Sequence, residues 1–220
     1  MKKSYWINRW EQTDIGFHQD NANIYLCQYW QALGLAPDDE VFVPLCGKSH
    51  DMLWLREHGH SVLGVELSSI AVHAFFHDNH FISHHDTTDK KFERFGTDSI
   101  NILCGDFFDL NSNDVAGVAA VYDRASLVAL PPEMRKRYVH HLMHILPPGT
   151  RILLITFDYP QSEEMQGPPF AVSPSEIEIL YRKHAEICQL AQFDVLAQNP
   201  RFQDRGLSRI QETIFLLTKR

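Results

Sequence analysis

Val41-Phe42-Val43-Pro44-Leu45-Cys46-Gly47-Lys48-Ser49 is followed, roughly 20 residues on, by Val62-Leu63-Gly64-Val65-Glu66. The order reads as strand, tight turn, helix, strand, with an acid closing the second strand. A doubly wound α/β fold holds an adenosine in this way. Gly47 lets a ligand approach the backbone of the turn, and Glu66 can accept both ribose hydroxyls.

The elements on either side extend the pattern. Further strands are predicted over 100–104, 118–122 and 151–157, and helices over 49–58, from Ser68 or Ser69 to about 80, and over 132–145. Ahead of the first strand, Trp6 and Trp10 share one helical face, and residues 20–34 form an amphipathic helix ended by Gly34. Residues 84–97 are polar and read as an exposed excursion, and 158–172 as a Pro- and Gly-rich loop. A helix from Ser173 or Ser175 to about His184 precedes two closing strands, over 188–197 and 209–218. Alternating strands and helices predict a mostly parallel sheet covered on both faces. By analogy, the closing pair gives the class I methyltransferase arrangement, with its antiparallel C-terminal strand.

The turn also discriminates among adenosine cofactors. A dinucleotide site wants G-x-G-x-x-G, so that a helix N-terminus meets a pyrophosphate. Here the turn holds one glycine, and Asp51 would repel a diphosphate. Gly47-Lys48-Ser49 imitates the end of a P-loop, but Phe42 stands where the earlier glycine is needed, which leaves Lys48 as a solvated helix-start lysine. S-adenosylmethionine (SAM) carries no phosphate. It needs an acid for the ribose, an apolar slot for adenine and a soft wall near its sulfonium. Glu66 suits the first task. Asp106 and Phe107, after the third strand, suit the adenine amine and ring. Asp123-Arg124 ends the fourth strand beside the expected reactive centre.

Trp6-x-x-x-Trp10, Phe17-His18-Gln19, Val43 to Lys48, Gly59 to Glu66, Asp123 to Leu130, Gly167-Pro168-Pro169-Phe170 and Phe215 to Thr218 together resemble the thiopurine S-methyltransferases, in order and over nearly the whole chain. The short N-terminus suggests the bacterial branch. The resemblance implies a class I SAM-dependent, Rossmann-like fold: one domain over 1–220, a mostly parallel seven-stranded sheet, and an N-terminal helical cap (1–35) over the site. It implies that Trp10, Leu45, Glu66 and Arg124 contact SAM, and that Phe17, Asp106 and Phe107 match further cofactor contacts. Arg201 aligns with an arginine near the thiopurine. Residues 80–100 depart from the family pattern, and Asp106 replaces a different small polar residue of mammalian members.

The expected activity is transfer of the SAM methyl to the sulfur of a small aromatic or heterocyclic thiol such as a thiopurine, leaving S-adenosylhomocysteine. Direct in-line displacement needs no covalent nucleophile. Arg124 and Arg201 would favour a thiolate, and Asp14 and His18 are the candidate proton acceptors. Other readings are methylation of a selenium or tellurium oxyanion, a halide or another small nucleophile, and a non-catalytic SAM-binding protein. Several residues also have plainer readings: Trp10 and Phe17 as core, Glu66 as a helix-start acid, Arg124 as a partner of Asp123, Arg201 as a solvated loop residue, Asp106 as a turn cap.

Composition narrows the partners. The chain has 220 residues and a formal net charge of −8. An acidic balance disfavours nucleic acid and anionic membranes. The apolar runs are strand-sized, and the N-terminus lacks the apolar core of a secretory signal. Cys27, Cys46, Cys104 and Cys188 form no Cys-x-x-Cys pair, which suits reduced thiols in a cytoplasmic protein. His73 with His77, and His140 with His144, have helical metal-ligand spacing but no third ligand, so no metal is expected. No feature demands a dimer, and a monomer is expected.

Overall fold

The computed structural model describes residues 2–87, 90–160, 165 and 167–220; part of the loop predicted over 158–172 lies outside them. The chain begins with α1 (Lys3–Glu11) and α2 (Ile24–Tyr29), the latter prolonged by a 3-10 turn, Trp30–Leu33. Asn23 caps α2 by accepting from the Tyr25 N–H at 3.0 Å. Gly34 ends the segment at φ 58°, a left-handed conformation that glycine adopts without steric cost.

The sheet and its helices follow: β1 (Glu40–Pro44), α3 (Asp51–Glu57), β2 (Ser61–Glu66), α4 (Ser69–Asp78), β3 (His84–Asp86), β4 (Glu93–Gly96), β5 (Ile100–Cys104), β6 (Val118–Arg124), α5 (Pro132–Ile145) and β7 (Arg151–Asp158). The chain closes with α6 (Pro174–Tyr181), β8 (Ala185–Asp194), α7 (Pro200–Gln203) and β9 (Gln211–Lys219). One nine-stranded sheet runs β3-β4-β5-β2-β1-β6-β7-β9-β8. Its centre, β5-β2-β1-β6-β7, is parallel, and β9 lies antiparallel between β7 and β8.

Period-2 alternation sorts the core onto two faces. Phe42, Ile152 and Leu154 point into a cluster with Tyr138, Leu142 and Ile177 of α5 and α6. Their neighbours Val41, Val43, Leu153 and Ile155 point the other way, against Leu26, Met52, Leu55 and Phe75 of α2, α3 and α4. A sheet buried on both faces explains why its central strands are nearly continuous apolar runs.

The sheet exceeds the expected seven strands by two. The stretch read as an exposed excursion pairs as an antiparallel hairpin, β3 with β4, and β4 joins β5. Phe92 and Phe95 are buried there among otherwise charged neighbours. Two aromatics in a polar stretch gave too weak an alternation to read as strands. The β8 strand also begins at Ala185, earlier than the predicted 188, and α4 has no side-chain cap from Ser68.

The topology fixes where a ligand can sit. From β1 the chain steps outward to β2 and β5, then returns to β6 on the other side of β1. The carboxyl ends of β1 and β6 therefore flank the switch point, where open α/β sheets bind ligands.

Candidate active site

Both strands leave the sheet through strained turns at that point. Leu45, just after β1, has φ 48°, and Ala125, just after β6, has φ 63°. A side chain in this region costs about 1–2 kcal/mol, so the surroundings must hold it. Ser126 Oγ donates to Pro44 O at 2.6 Å, tying the two strand ends together. The buried Asp123 carboxylate accepts from Tyr138 Oη at 2.7 Å and from the Leu127 N–H at 3.1 Å. Burial pushes its carboxyl up to about 6, against the lowering effect of those hydrogen bonds. Arg124 does not pair with it. The Arg124 guanidinium instead donates to Phe17 O at 3.3 Å, joining β6 to the N-terminal segment.

The β1 turn is organised by Glu66. Its Oε2 accepts from the Gly47 N–H at 2.9 Å and its Oε1 from the Ser68 N–H at 2.8 Å. Burial raises this carboxyl, and the backbone hydrogen bonds act in the opposite sense. The Leu67 N–H also acts on the carboxylate, which with about four lone-pair directions in all keeps acceptor capacity for a ligand. Gly47 is at φ 53°, and a Cβ there would lie 3.1 Å from the Trp10 ring. Glycine suits this left-handed backbone, and a Cβ would push the Trp10 ring back by a few tenths of an ångström.

The N-terminal segment forms the opposite wall. Trp6 and Trp10 meet Phe17 edge-on, with centroids 5.8 and 5.6 Å away. Arg9 lies over the Phe17 ring and pairs with Asp14 at 3.0 Å. Arg201 of α7 donates to Gly16 O, one residue before the carbonyl that Arg124 holds. His18 faces His50 edge-on at 5.2 Å, and desolvation, Lys48 and His50 lower its pKa.

After β5, Asp106 caps the short 3-10 turn Phe107–Asp109 by accepting from the Phe108 N–H at 2.9 Å, and its other oxygen pairs with Lys3 at 2.6 Å. Phe107 is buried against Tyr138 at 4.7 Å. Phe108 carries the Arg137 guanidinium 4.8 Å from its centroid.

These walls enclose a cavity of about 570 Å³. The ten candidate cofactor, substrate and proton-acceptor residues all line it: Trp10, Asp14, Phe17, His18, Leu45, Glu66, Asp106, Phe107, Arg124 and Arg201. Its size lies within the ~300–1,000 Å³ of sites that bury a small ligand. Two of the plainer readings hold: Asp106 caps a turn, and Glu66 meets the start of α4.

Sequence reading missed other lining residues. Lys3, Arg137 and Arg205 carry no local pattern that separates them from solvated cations. Asp51 was read only as a repulsive charge. In the structure its buried carboxylate accepts from the Asn23 N–H at 2.7 Å and from Tyr122 Oη at 3.0 Å, joining the start of α2 to the sheet. Lys48 pairs with Asp78 at 2.8 Å while lining the cavity.

Comparison with known proteins agrees with this geometry. The thiopurine S-methyltransferase family profile matches residues 1–220. The chain belongs to the thiopurine S-methyltransferase family. A relative from Nitrosospira multiformis named thiopurine S-methyltransferase is 61% identical over 220 residues, covering 100% of this chain and 99% of that protein. One of the same name from Marinobacter nauticus is 46% identical over 222 residues, covering 100% of both.

Among solved structures, a SAM-dependent methyltransferase from Anabaena variabilis superposes with TM-score 0.67 at 13% identity, covering 99% of this chain and 95% of that one. The 1,6-didemethyltoxoflavin N1-methyltransferase of Burkholderia thailandensis, solved with S-adenosylhomocysteine, gives TM-score 0.63 at 15% identity, covering 99% and 86%. At such identity the likeness is one of fold. With the family it makes this chain a SAM-dependent methyltransferase. The residues present fit that cofactor: an acid with lone pairs to spare at Glu66, a glycine cradle at Gly47, and no phosphate-binding glycine run. Among the described residues no helix is long and apolar enough to cross a membrane, and no group of three His, Cys, Asp or Glu is placed to hold a metal.

Proposed function

We propose that the protein methylates the sulfur of small aromatic or heterocyclic thiols, thiopurines included, by direct in-line displacement. The observation that carries this reading is the convergence, at the β1/β6 switch point, of an acid, an aromatic cap and two arginines in one cavity. The names of the relatives support the thiol acceptor.

Bound SAM supplies a methyl already activated on a sulfonium, so the protein's work is alignment and exclusion of water. Glu66 holds the ribose hydroxyls through its free lone pairs. Leu45, with its left-handed backbone, and Trp10 form the wall beside it. Phe107 and Phe108 bound the adenine slot, with Asp106 toward the exocyclic amine. Arg124 serves the cofactor's carboxylate, and Arg124 with Arg201 favours an anionic sulfur. Trp6, Trp10 and Phe17 close the cap over residues 1–35, and aromatic faces there stabilise a sulfonium by about 0.5–2 kcal/mol.

Of the two candidate proton acceptors, the geometry favours His18. Asp14 is held by Arg9. His18 lines the cavity with its pKa lowered, so it is neutral and able to accept at pH 7. A thiol that ionises near neutral pH needs no base at all.

Incubation with SAM and a panel of thiophenol, 6-mercaptopurine, selenite and iodide, read by mass spectrometry, tests the reading. S-methyl products from the thiols are expected. Methylated products from selenite or iodide with none from either thiol would overturn it.

A further inference from the structure

The cavity inverts the charge of the molecule around it. Eight Lys and Arg side chains line it against four Asp and Glu, in a chain of formal net charge −8. All four acids are occupied. Asp14 pairs with Arg9 and Asp106 with Lys3. Glu66 takes two backbone N–H groups, and Asp51 takes the Asn23 N–H and the Tyr122 hydroxyl. Among the described residues, Arg124, Arg137, Arg201 and Arg205 have no carboxylate within ion-pair distance.

These four guanidinium groups are not equivalent. Arg137 lies over Phe108 at the adenine end, and one cation, Arg124, suffices for the carboxylate of SAM. Arg201 and Arg205 remain. Arg201 lies in α7 and Arg205 in the turn that follows it, close enough for each charge to act on the other. Both line the cavity, together with the apolar Phe157, Pro169 and Phe202. They crowd each other: burial, Arg124 and Arg205 all disfavour the charge on Arg201. Glu212 lies near Arg124 and Arg201 but outside the cavity lining. Arg201 is engaged by Gly16 O and Arg205 by Met165 Sδ, but among the described residues neither has a carboxylate partner, and two such guanidinium groups beside the apolar Phe157 and Phe202 suit a planar anion.

Resting on the thiol reading above, we infer that the acceptor carries a second anionic group, a carboxylate on an aromatic or heterocyclic ring, held by Arg201 and Arg205. With such an acceptor Arg201 serves the ring carboxylate, and the anionic sulfur is left to the Arg124 side. The preferred substrate class is a mercapto-substituted aromatic acid. The excess of cavity cations also draws such an acceptor in, an effect that salt weakens.

The test compares 4-mercaptobenzoate with its methyl ester, at saturating SAM and at a pH where both thiols are ionised. Wild-type kcat/KM for the acid is expected to exceed that for the ester about tenfold, and the advantage to shrink at high salt. Arg205→Gln should collapse the acid-to-ester ratio toward one, and Arg205→Lys should restore part of it. Thermal unfolding of each variant checks that the fold is kept, and the wild-type ratio stands whether or not a variant folds. A wild-type ratio near or below one overturns the inference, as does a ratio unchanged in a folded Arg205→Gln. Turnover of the ester alone overturns this inference and leaves thiol methylation standing. Turnover of neither thiol, with S-adenosylhomocysteine still binding, overturns both.

Discussion

Lys3 Nζ lies 2.6 Å from Asp106 Oδ2, so the first turn of α1 is tied across the cavity mouth to the loop that follows β5. The second Asp106 oxygen is already engaged by the Phe108 N–H. A carboxylate that turned toward an adenine amine would have to share or leave the Lys3 contact. Lys3 is largely exposed, and such surface pairs are worth about 0–1 kcal/mol. Lys3→Ala should therefore tighten SAM binding up to about fivefold, since it removes a competitor for Asp106. Calorimetric titration reads this directly, and weaker binding in the variant would show that the pair helps to build the site.

Glu66→Gln is the informative substitution at the ribose site, and it is not conservative. Both carboxylate oxygens accept from buried backbone N–H groups. Either orientation of the amide sets an NH₂ against one of them. An orphaned buried donor costs about 1–3 kcal/mol. Denaturant unfolding should show a loss of that size, and SAM affinity should fall at least about tenfold. A variant with wild-type stability and affinity would remove Glu66 from the site.

Asp123 gives the stability a pH signature. Its folded-state carboxyl is raised to about 6, above the unfolded value of about 3.9. The folded protein therefore binds the proton more tightly than the unfolded chain. This contribution is fully present below about pH 4, declines as pH rises toward 6, and is lost above it. Asp123→Asn has no such proton. Urea unfolding at pH 5 and pH 7 should show the wild type losing stability relative to the variant as pH rises. A difference that is constant with pH would contradict the assignment.

His18 should matter only for acceptors that still hold their proton. Its lowered pKa leaves it neutral at pH 7. His18→Asn is expected to reduce kcat about tenfold or more for a weakly acidic alkyl thiol, with a much smaller effect on a thiophenol that is already ionised. Equal losses for both acceptors would assign His18 to packing rather than to proton transfer.

The parallel core was legible because buried parallel strands are unbroken apolar runs, Val41 to Pro44 and Ile152 to Ile155 among them. The strand-end residues were legible because the topology sends each strand's carboxyl end to the same side. The β3–β4 hairpin was not, since only Phe92 and Phe95 signal burial in a charged stretch. Lys3, Arg137 and Arg205 were not legible either. A cation joins this cavity through tertiary placement of α1, α5 and the turn after α7, and neighbouring sequence holds no trace of that. Asp51 shows the converse: its charge was noticed, but its role as a buried joint depends on Asn23 and Tyr122, which are distant in sequence.

Methyl transfer from SAM to a thiol sulfur within the cavity below the N-terminal cap is the central proposal. The most direct test is a reaction of methyl-labelled SAM with thiophenol, followed by mass spectrometry of both products. Labelled methyl phenyl sulfide and S-adenosylhomocysteine in equal amounts are predicted, both lost together in Glu66→Gln. Binding of S-adenosylhomocysteine with no labelled sulfide from thiophenol or any other aromatic thiol would contradict it.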